Sequence, residues 1–197
     1  MEDNLMYSSK ISSSENTLCQ DKSISQEKTT HPQKAVFHIL CGKIASGKST
    51  LSAQLSQQPM TIVMNEDYWL STLYGSEIKT VADYVCYSEK LRNAMEPHLI
   101  SLLNAGISVI LDFPANTIEN RKWMKKIIEA TEVENYLHFL DVPDSVCLAR
   151  LHLRNQSGEH QFSVTDEQFA AITRAFVAPQ EEEGFNIVLH GNKEINL

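Results

Sequence analysis

The sequence predicts an α/β domain built on a parallel β-sheet with helices on both faces. Three observations carry that prediction. Short apolar runs alternate with segments of helical spacing along the whole chain after residue 33, as strands and crossover helices do. A glycine-rich phosphate-binding pattern, Gly42-Lys43-Ile44-Ala45-Ser46-Gly47-Lys48-Ser49-Thr50, lies between the first apolar run and the first helix. Two further runs end in acids, at Asn65-Glu66-Asp67 and at Asp112, where ligands gather beyond the carboxyl ends of parallel strands.

In order along the chain, residues 1 to about 33 are rich in Ser, Gln, Asn, Thr, Lys and Glu and show no periodic apolar face. Such a segment cannot bury enough surface to offset its ordering entropy, so residues 1–33 read as a disordered or loosely docked extension and residues 34–197 as the folded domain. A short helix around Ser14 to Cys19 is compatible with that reading. Ala35 to Cys41 forms the first strand and Ser49 to Leu55 the first helix. Thr61 to Met64 is a second strand that stops at the polar cluster Asn65-Glu66-Asp67.

Thr80 with Asp83 resembles a capping box and opens a long helix, kinked at Pro97 and closed by Gly106. Ile107 to Leu111 is the third strand, Thr117 caps a helix through Ile128, and Tyr136 to Leu140 is the fourth strand. Asp144 caps a helix carrying Arg150 and Arg154 on one face. Asn155 to Ser163 reads as a mobile loop, Thr165 with Gln168 opens a helix to Val177, and Asn186 to His190 is the fifth strand.

The chemistry is expected at the loop. Its glycines let backbone N–H groups turn inward around a phosphate, and the following helix N-terminus adds partial positive charge. Lys48 supplies a full charge to the β- and γ-phosphates of ATP, and Ser49 a hydroxyl for Mg²⁺. Asp112 is placed to orient Mg²⁺ or its waters. Asp67 is placed to accept the proton of a substrate hydroxyl. Arg150 and Arg154, just before the loop, form a lid that neutralises the transferring group, while Asn116 and Arg121 are candidates for contact with the substrate. His38, His138 and His190 lie in three strands without metal-ligand spacing and are read as packing residues, as are Trp69 and Trp123.

Composition narrows the partners. A net charge of −8 without a basic block argues against a protein that grips a nucleic-acid backbone, while one focused basic pocket still allows a small anionic substrate. Cys19, Cys41, Cys86 and Cys147 form no C-x-x-C pair, three of them lie within apolar patterns, and they read as reduced, buried thiols. No run approaches membrane-spanning length, and the start of the chain lacks the order of a signal peptide, so a soluble cytoplasmic protein is expected.

The P-loop together with Asp67 and Trp69, Asp112-Phe113, Leu140-Asp141-Val142-Pro143, and Arg150 with Arg154-Asn155 resembles the small bacterial P-loop kinase-like ATP-binding proteins. These are similar to chloramphenicol phosphotransferase, zeta-toxin kinases and the gluconate and shikimate kinases. The resemblance spans residues 35 to 190. It implies a three-layer nucleoside-kinase-like fold, a five-stranded sheet of order 2-3-1-4-5 with a lid, Asp67 as the acid that handles the acceptor hydroxyl, and Arg150 and Arg154 as lid arginines. The expected function is an ATP- and Mg²⁺-dependent kinase acting on a small-molecule hydroxyl; the alternative is an ATP-binding or ATP-hydrolysing regulatory module without such transfer. A GTPase switch is disfavoured because Asn192-Lys193-Glu194-Ile195 is not the guanine-reading motif and Asp112-Phe113-Pro114-Ala115 is not D-x-x-G. No Glu follows Asp112 to activate water, which disfavours a motor ATPase.

Overall fold

The computed structural model describes residues 34–157 and 164–191, which fall within one compact unit, Pro32–Leu197. The extension of residues 1–33, the conceivable helix near Ser14 and most of the expected mobile loop therefore lie outside the described residues. The elements are β1 (Val36–Gly42), α1 (Lys48–Leu55), β2 (Thr61–Asn65), α2 (Glu66–Tyr74), α3 (Val81–Asn104), β3 (Ser108–Asp112), α4 (Ile118–Thr131), β4 (Glu134–Leu140), α5 (Asp144–Ser157), α6 (Asp166–Arg174) and β5 (Ile187–His190), with a short 3-10 turn, Glu181–Glu183, before β5.

All five strands run parallel in the order β2-β3-β1-β4-β5. The central position of β1 follows from its composition: it carries no charged side chain and is buried along almost its whole length, as a strand covered on both faces must be. Register is fixed by residues such as Ile39, which lies opposite Leu111 on one side and Leu137 on the other. These, with Phe37, Cys41 and Val109, form the main core against Leu91, Leu99 and Leu103 of α3 and Met124, Ile127 and Ile128 of α4. Each such side chain contributes about 1.5–3 kcal/mol when fully buried. A second cluster, Leu140, Val142, Cys147, Leu151 and Phe169, joins the end of β4 to α5 and α6 and is packed by Ile44 and Ala45 of the P-loop.

Helix starts are set by side-chain caps. Thr80 Oγ1 accepts from Asp83 N–H at 3.1 Å while Asp83 Oδ2 accepts from Thr80 N–H at 2.9 Å. Thr165 and Gln168 repeat that box for α6, and Thr117 Oγ1 accepts from Asn120 N–H for α4.

Four expectations change. The polar cluster read as the end of the second strand is the start of α2, with Asn65 Oδ1 capping Tyr68 N–H at 2.8 Å. Asp144 stands in the first turn of α5 and pairs with Lys43. The helix α5 runs on through Asn155, the expected first residue of the mobile loop, to Ser157. Cys86 is exposed, whereas Cys41 and Cys147 are buried as expected. Among the described residues no helix is long and apolar enough to cross a membrane.

Candidate active site

The P-loop connects the C-terminal end of β1 to α1. Gly42 is required by close approach: a Cβ there would lie 2.6 Å from Ser46 Oγ and 3.1 Å from both the carbonyl oxygen and Cβ of Leu140. Gly47, the residue before α1, sits at φ 105°, which a side chain resists. The start of the loop is fastened twice. Asn116 Oδ1 accepts from Gly42 N–H at 3.0 Å, and Lys43 Nζ pairs with Asp144 at the start of α5. Asn116, a candidate substrate contact by sequence, thus has its oxygen committed to the P-loop backbone.

Lys48 Nζ donates to the carbonyls of Gly42 at 2.7 Å and Lys43 at 2.8 Å. Burial lowers its pKa, opposed by the charges of Asp112 and, less strongly, Asp67. Both strand-end acids therefore act on the same ammonium group. Asp112, the last residue of β3, accepts from Asn65 Nδ2 at 2.8 Å across the β2–β3 register pair. Asp67 lies in the first turn of α2, where the helix N-terminus favours a carboxylate, and its charge is felt by Arg154 as well as by Lys48. Burial lowers the Arg154 pKa while Asp67 opposes that shift. Arg150 Nη1 reaches Ser46 O at 3.4 Å, which brings α5 over the P-loop. Ser49 and Thr50 are exposed on the first turn of α1.

Arg121 corrects the reading of it as a substrate contact. It is fully buried, and its guanidinium donates to Glu183 at 2.6 and 2.9 Å, to Ala115 O at 3.0 Å and to Val177 O at 2.8 Å. Its donors hold the loop after β3 to the chain that leads into β5. Burial pushes the Glu183 carboxyl up, but the hydrogen bonds from Arg121 and from Gln180 N–H outweigh it and hold the pKa below the usual value.

Two arrangements escaped the sequence reading. Glu66 is 2 % exposed, accepts from Tyr84 Oη–H at 2.7 Å through Oε2, and has its pKa pushed up to about 7 by burial, against that hydrogen bond and the Arg92 charge. The signal available was an acid directly after a capping Asn, at a helix start rather than a strand end. The strand histidines, read as packing residues, are joined side chain to side chain across three strands. His38 Nδ1 lies 3.0 Å from His138 Nε2, and His138 Nδ1 lies 2.9 Å from His190 Nε2. Neutral imidazoles, each donating one proton and accepting one, satisfy such a series. Burial lowers the His138 pKa to about 4, reinforced by its histidine neighbours. Among the described residues no cluster of His, Cys, Asp or Glu forms a metal site. Trp123 stacks on Phe113 at 5.9 Å, and Trp69 packs against the main core, as expected of packing residues.

Sheet order and the P-loop between β1 and α1 define a domain of the P-loop kinase-like class. The chain belongs to the AAA_33 family of AAA domains, whose model matches residues 37–179. No match is found among curated proteins. Among solved structures it is similar to a protein of Chloroflexus aurantiacus j-10-fl to which kinase activity is ascribed, at 15% identity and a TM-score of 0.63 over 81% of this chain and 86% of the other. It is also similar to the APS kinase of Mycobacterium tuberculosis in complex with AMPPNP and APS, at 18% identity and a TM-score of 0.57, covering 83% and 92%. A sugar kinase from Janibacter sp. HTCC2649 matches at 15% identity and a TM-score of 0.54, covering 80% and 85%. At these identities the likeness is one of fold.

Proposed function

We propose that residues 34–197 form an ATP- and Mg²⁺-dependent phosphotransferase that moves the γ-phosphoryl group to a hydroxyl of a small molecule. The observation that carries this reading is the gathering of Lys48, Asp67, Asp112 and Arg154 at one end of the sheet, over the P-loop. The P-loop backbone from Gly42 to Thr50 would cradle the phosphates, and Lys48 would leave its two carbonyls to follow the β- and γ-phosphate charge.

Hard oxygen donors suit Mg²⁺, and the exposed Ser49 hydroxyl and the Asp112 carboxylate, steadied by Asn65, supply them. When bound, Mg²⁺ would neutralise charge shared between the phosphates. Asp67 would take the acceptor's hydroxyl proton as the acceptor oxygen bonds to phosphorus and the bond to the β,γ-bridging oxygen breaks, releasing ADP. Arg150 and Arg154 would draw over the transferring group from α5. The soluble, cytoplasmic setting expected from the sequence fits such a reaction.

The test is transfer from γ-labelled ATP into a metabolite extract, followed by isolation of the labelled product. Asp67→Asn should keep Mg²⁺–ATP affinity and lower transfer by roughly 10²–10⁴-fold, while Asp112→Asn shifts the magnesium dependence. ATP binding with no labelled product in any extract would overturn the kinase reading in favour of a nucleotide-binding module.

A further inference from the structure

Beside the acids, α2, α3 and α4 enclose polar groups that the phosphate chemistry does not use. Tyr84, Ser88 and Arg92 recur every four residues and form one stripe of α3. At one end of the stripe Tyr84 holds Glu66 Oε2, with the buried Ser88 beside the Tyr84 hydroxyl. Glu66 Oε1, on a side chain that is 2 % exposed, has no hydrogen-bond partner. At the other end Arg92 is half-buried; its Nε donates to Ser88 O at 3.2 Å and its Nη1 to Asn120 Oδ1 at 2.5 Å. Asn120 is anchored in turn by donating to Pro114 O at 2.8 Å.

Neither end is chemically complete. Among the described residues no carboxylate stands within ion-pair distance of Arg92, and its Nη2 makes no hydrogen bond. A half-buried guanidinium with no carboxylate in ion-pair contact, only the more distant Glu66 charge, and a buried carboxyl oxygen without a donor each carry a desolvation cost that a bound molecule can remove. The two ends call for opposite partners, an anion at Arg92 and a hydroxyl or ammonium donor at Glu66. The Glu66 carboxyl is acted on by the charges of Asp67, the proposed base, and of Asp112, so a molecule held at Glu66 lies near the phosphoryl-transfer centre.

We propose that the stripe from Glu66 to Arg92 is the acceptor subsite and that it takes a hydroxyl-rich molecule bearing one anionic group. Arg92 binds the anion, Asn120 and Ser88 O fix the guanidinium plane, and Glu66 with Tyr84 receives a hydroxyl. A fork-shaped guanidinium held by two fixed acceptors suits a planar carboxylate or a phosphate oxygen pair better than a point charge does. This assignment rests on the kinase reading only for the word acceptor; the binding itself is separable.

The experiment titrates the full chain, saturated with Mg²⁺–AMPPNP, with glycolate, D-glycerate, D-gluconate and glycerol 3-phosphate, and with glycerol and sorbitol as uncharged controls. Calorimetry reports binding, and Trp69 and Trp123, on two of the enclosing helices, report it by fluorescence. At least one hydroxylated anion should bind saturably, and Arg92→Gln should weaken it by about tenfold or more, the size of one charged hydrogen bond, while AMPPNP affinity stays unchanged. Arg92→Lys keeps the charge without the fork and should fall between the two; Glu66→Gln should weaken the anion's hydroxyl-rich members more than glycolate. Melting temperature measured on each variant separates lost binding from lost folding. Uncharged polyols binding as well as anions, anions binding Arg92→Gln as well as wild type, or no anion binding to the AMPPNP-loaded protein would each overturn the assignment. Failure of AMPPNP to bind at all would instead sink the nucleotide reading beneath it.

Discussion

Replacing Arg121 separates a structural clamp from a substrate contact. Arg121→Ala removes four hydrogen bonds from a fully buried side chain, leaves Ala115 O and Val177 O without this donor and leaves Glu183 with only the Gln180 N–H. Breaking one side of a buried ion pair costs about 3–5 kcal/mol. Because Glu183 keeps 20% of its side chain exposed, water can reach its freed charge, and the low end, about 3 kcal/mol, is the better figure. At ~2–4 °C per kcal/mol for a domain of this size, the melting temperature should fall by about 6–12 °C. Urea unfolding followed by circular dichroism, with calorimetry alongside, measures both quantities. The pair variant Arg121→Met with Glu183→Met should recover part of the loss, since no lone charge remains. A stability change below about 1 kcal/mol accompanied by lost ligand binding would refute the clamp and return Arg121 to the substrate.

Lys48→Ala should weaken ATP binding and abolish transfer with the fold intact, checked by nucleotide titration and labelled-ATP turnover; undiminished turnover would sink the P-loop assignment. Arg150→Ala and Arg154→Ala should lower kcat more than nucleotide affinity, because guanidinium contacts strengthen as charge redistributes on the transferring group; an equal loss in ADP binding would make them ground-state anchors. The histidine series predicts an acid limb in stability. His138 is neutral in the fold with a pKa of about 4, below its ordinary 6.5, so the unfolded chain binds more protons between those values. Stability from this group is complete above pH 6.5 and is lost as pH falls toward 4, and His138→Gln should flatten that limb in a melting-temperature series.

The sheet was legible because each strand is a short run closed by turn or polar residues, and the order of pairing was implied by the resemblance. The caps at Thr80, Thr117 and Thr165 were legible because they are local, a donor and acceptor three residues apart. The start of α2 was missed although it uses the same grammar, Asn65 followed by two acids, because the run Thr61 to Met64 made the acids look like a strand end. Arg121 and Glu183 lie 62 residues apart, and nothing in either neighbourhood announces the other. The histidine series depends on register: His138 faces Leu40 and Val188, and only the two-residue stagger brings it diagonally to His38 and His190. The candidate site was readable where it follows strand ends and unreadable where it depends on α3 facing α2 and α4.

The tie between Asn116 and the P-loop has a consequence for how such a domain can diversify. Asn116 holds Gly42 N–H, and Arg121 holds Ala115 O, so the loop after β3 is part of the frame that shapes the phosphate cradle. A substitution there is transmitted to nucleotide binding before it can alter what else is bound. The stripe on α3 reaches that frame only indirectly, through Arg92 to Asn120 and from Asn120 to Pro114 O, and makes no hydrogen bond to Gly42 itself. A change at Asn116 therefore acts on the cradle through one hydrogen bond, whereas a change at Arg92 must pass through Asn120 and Pro114 before it is felt there.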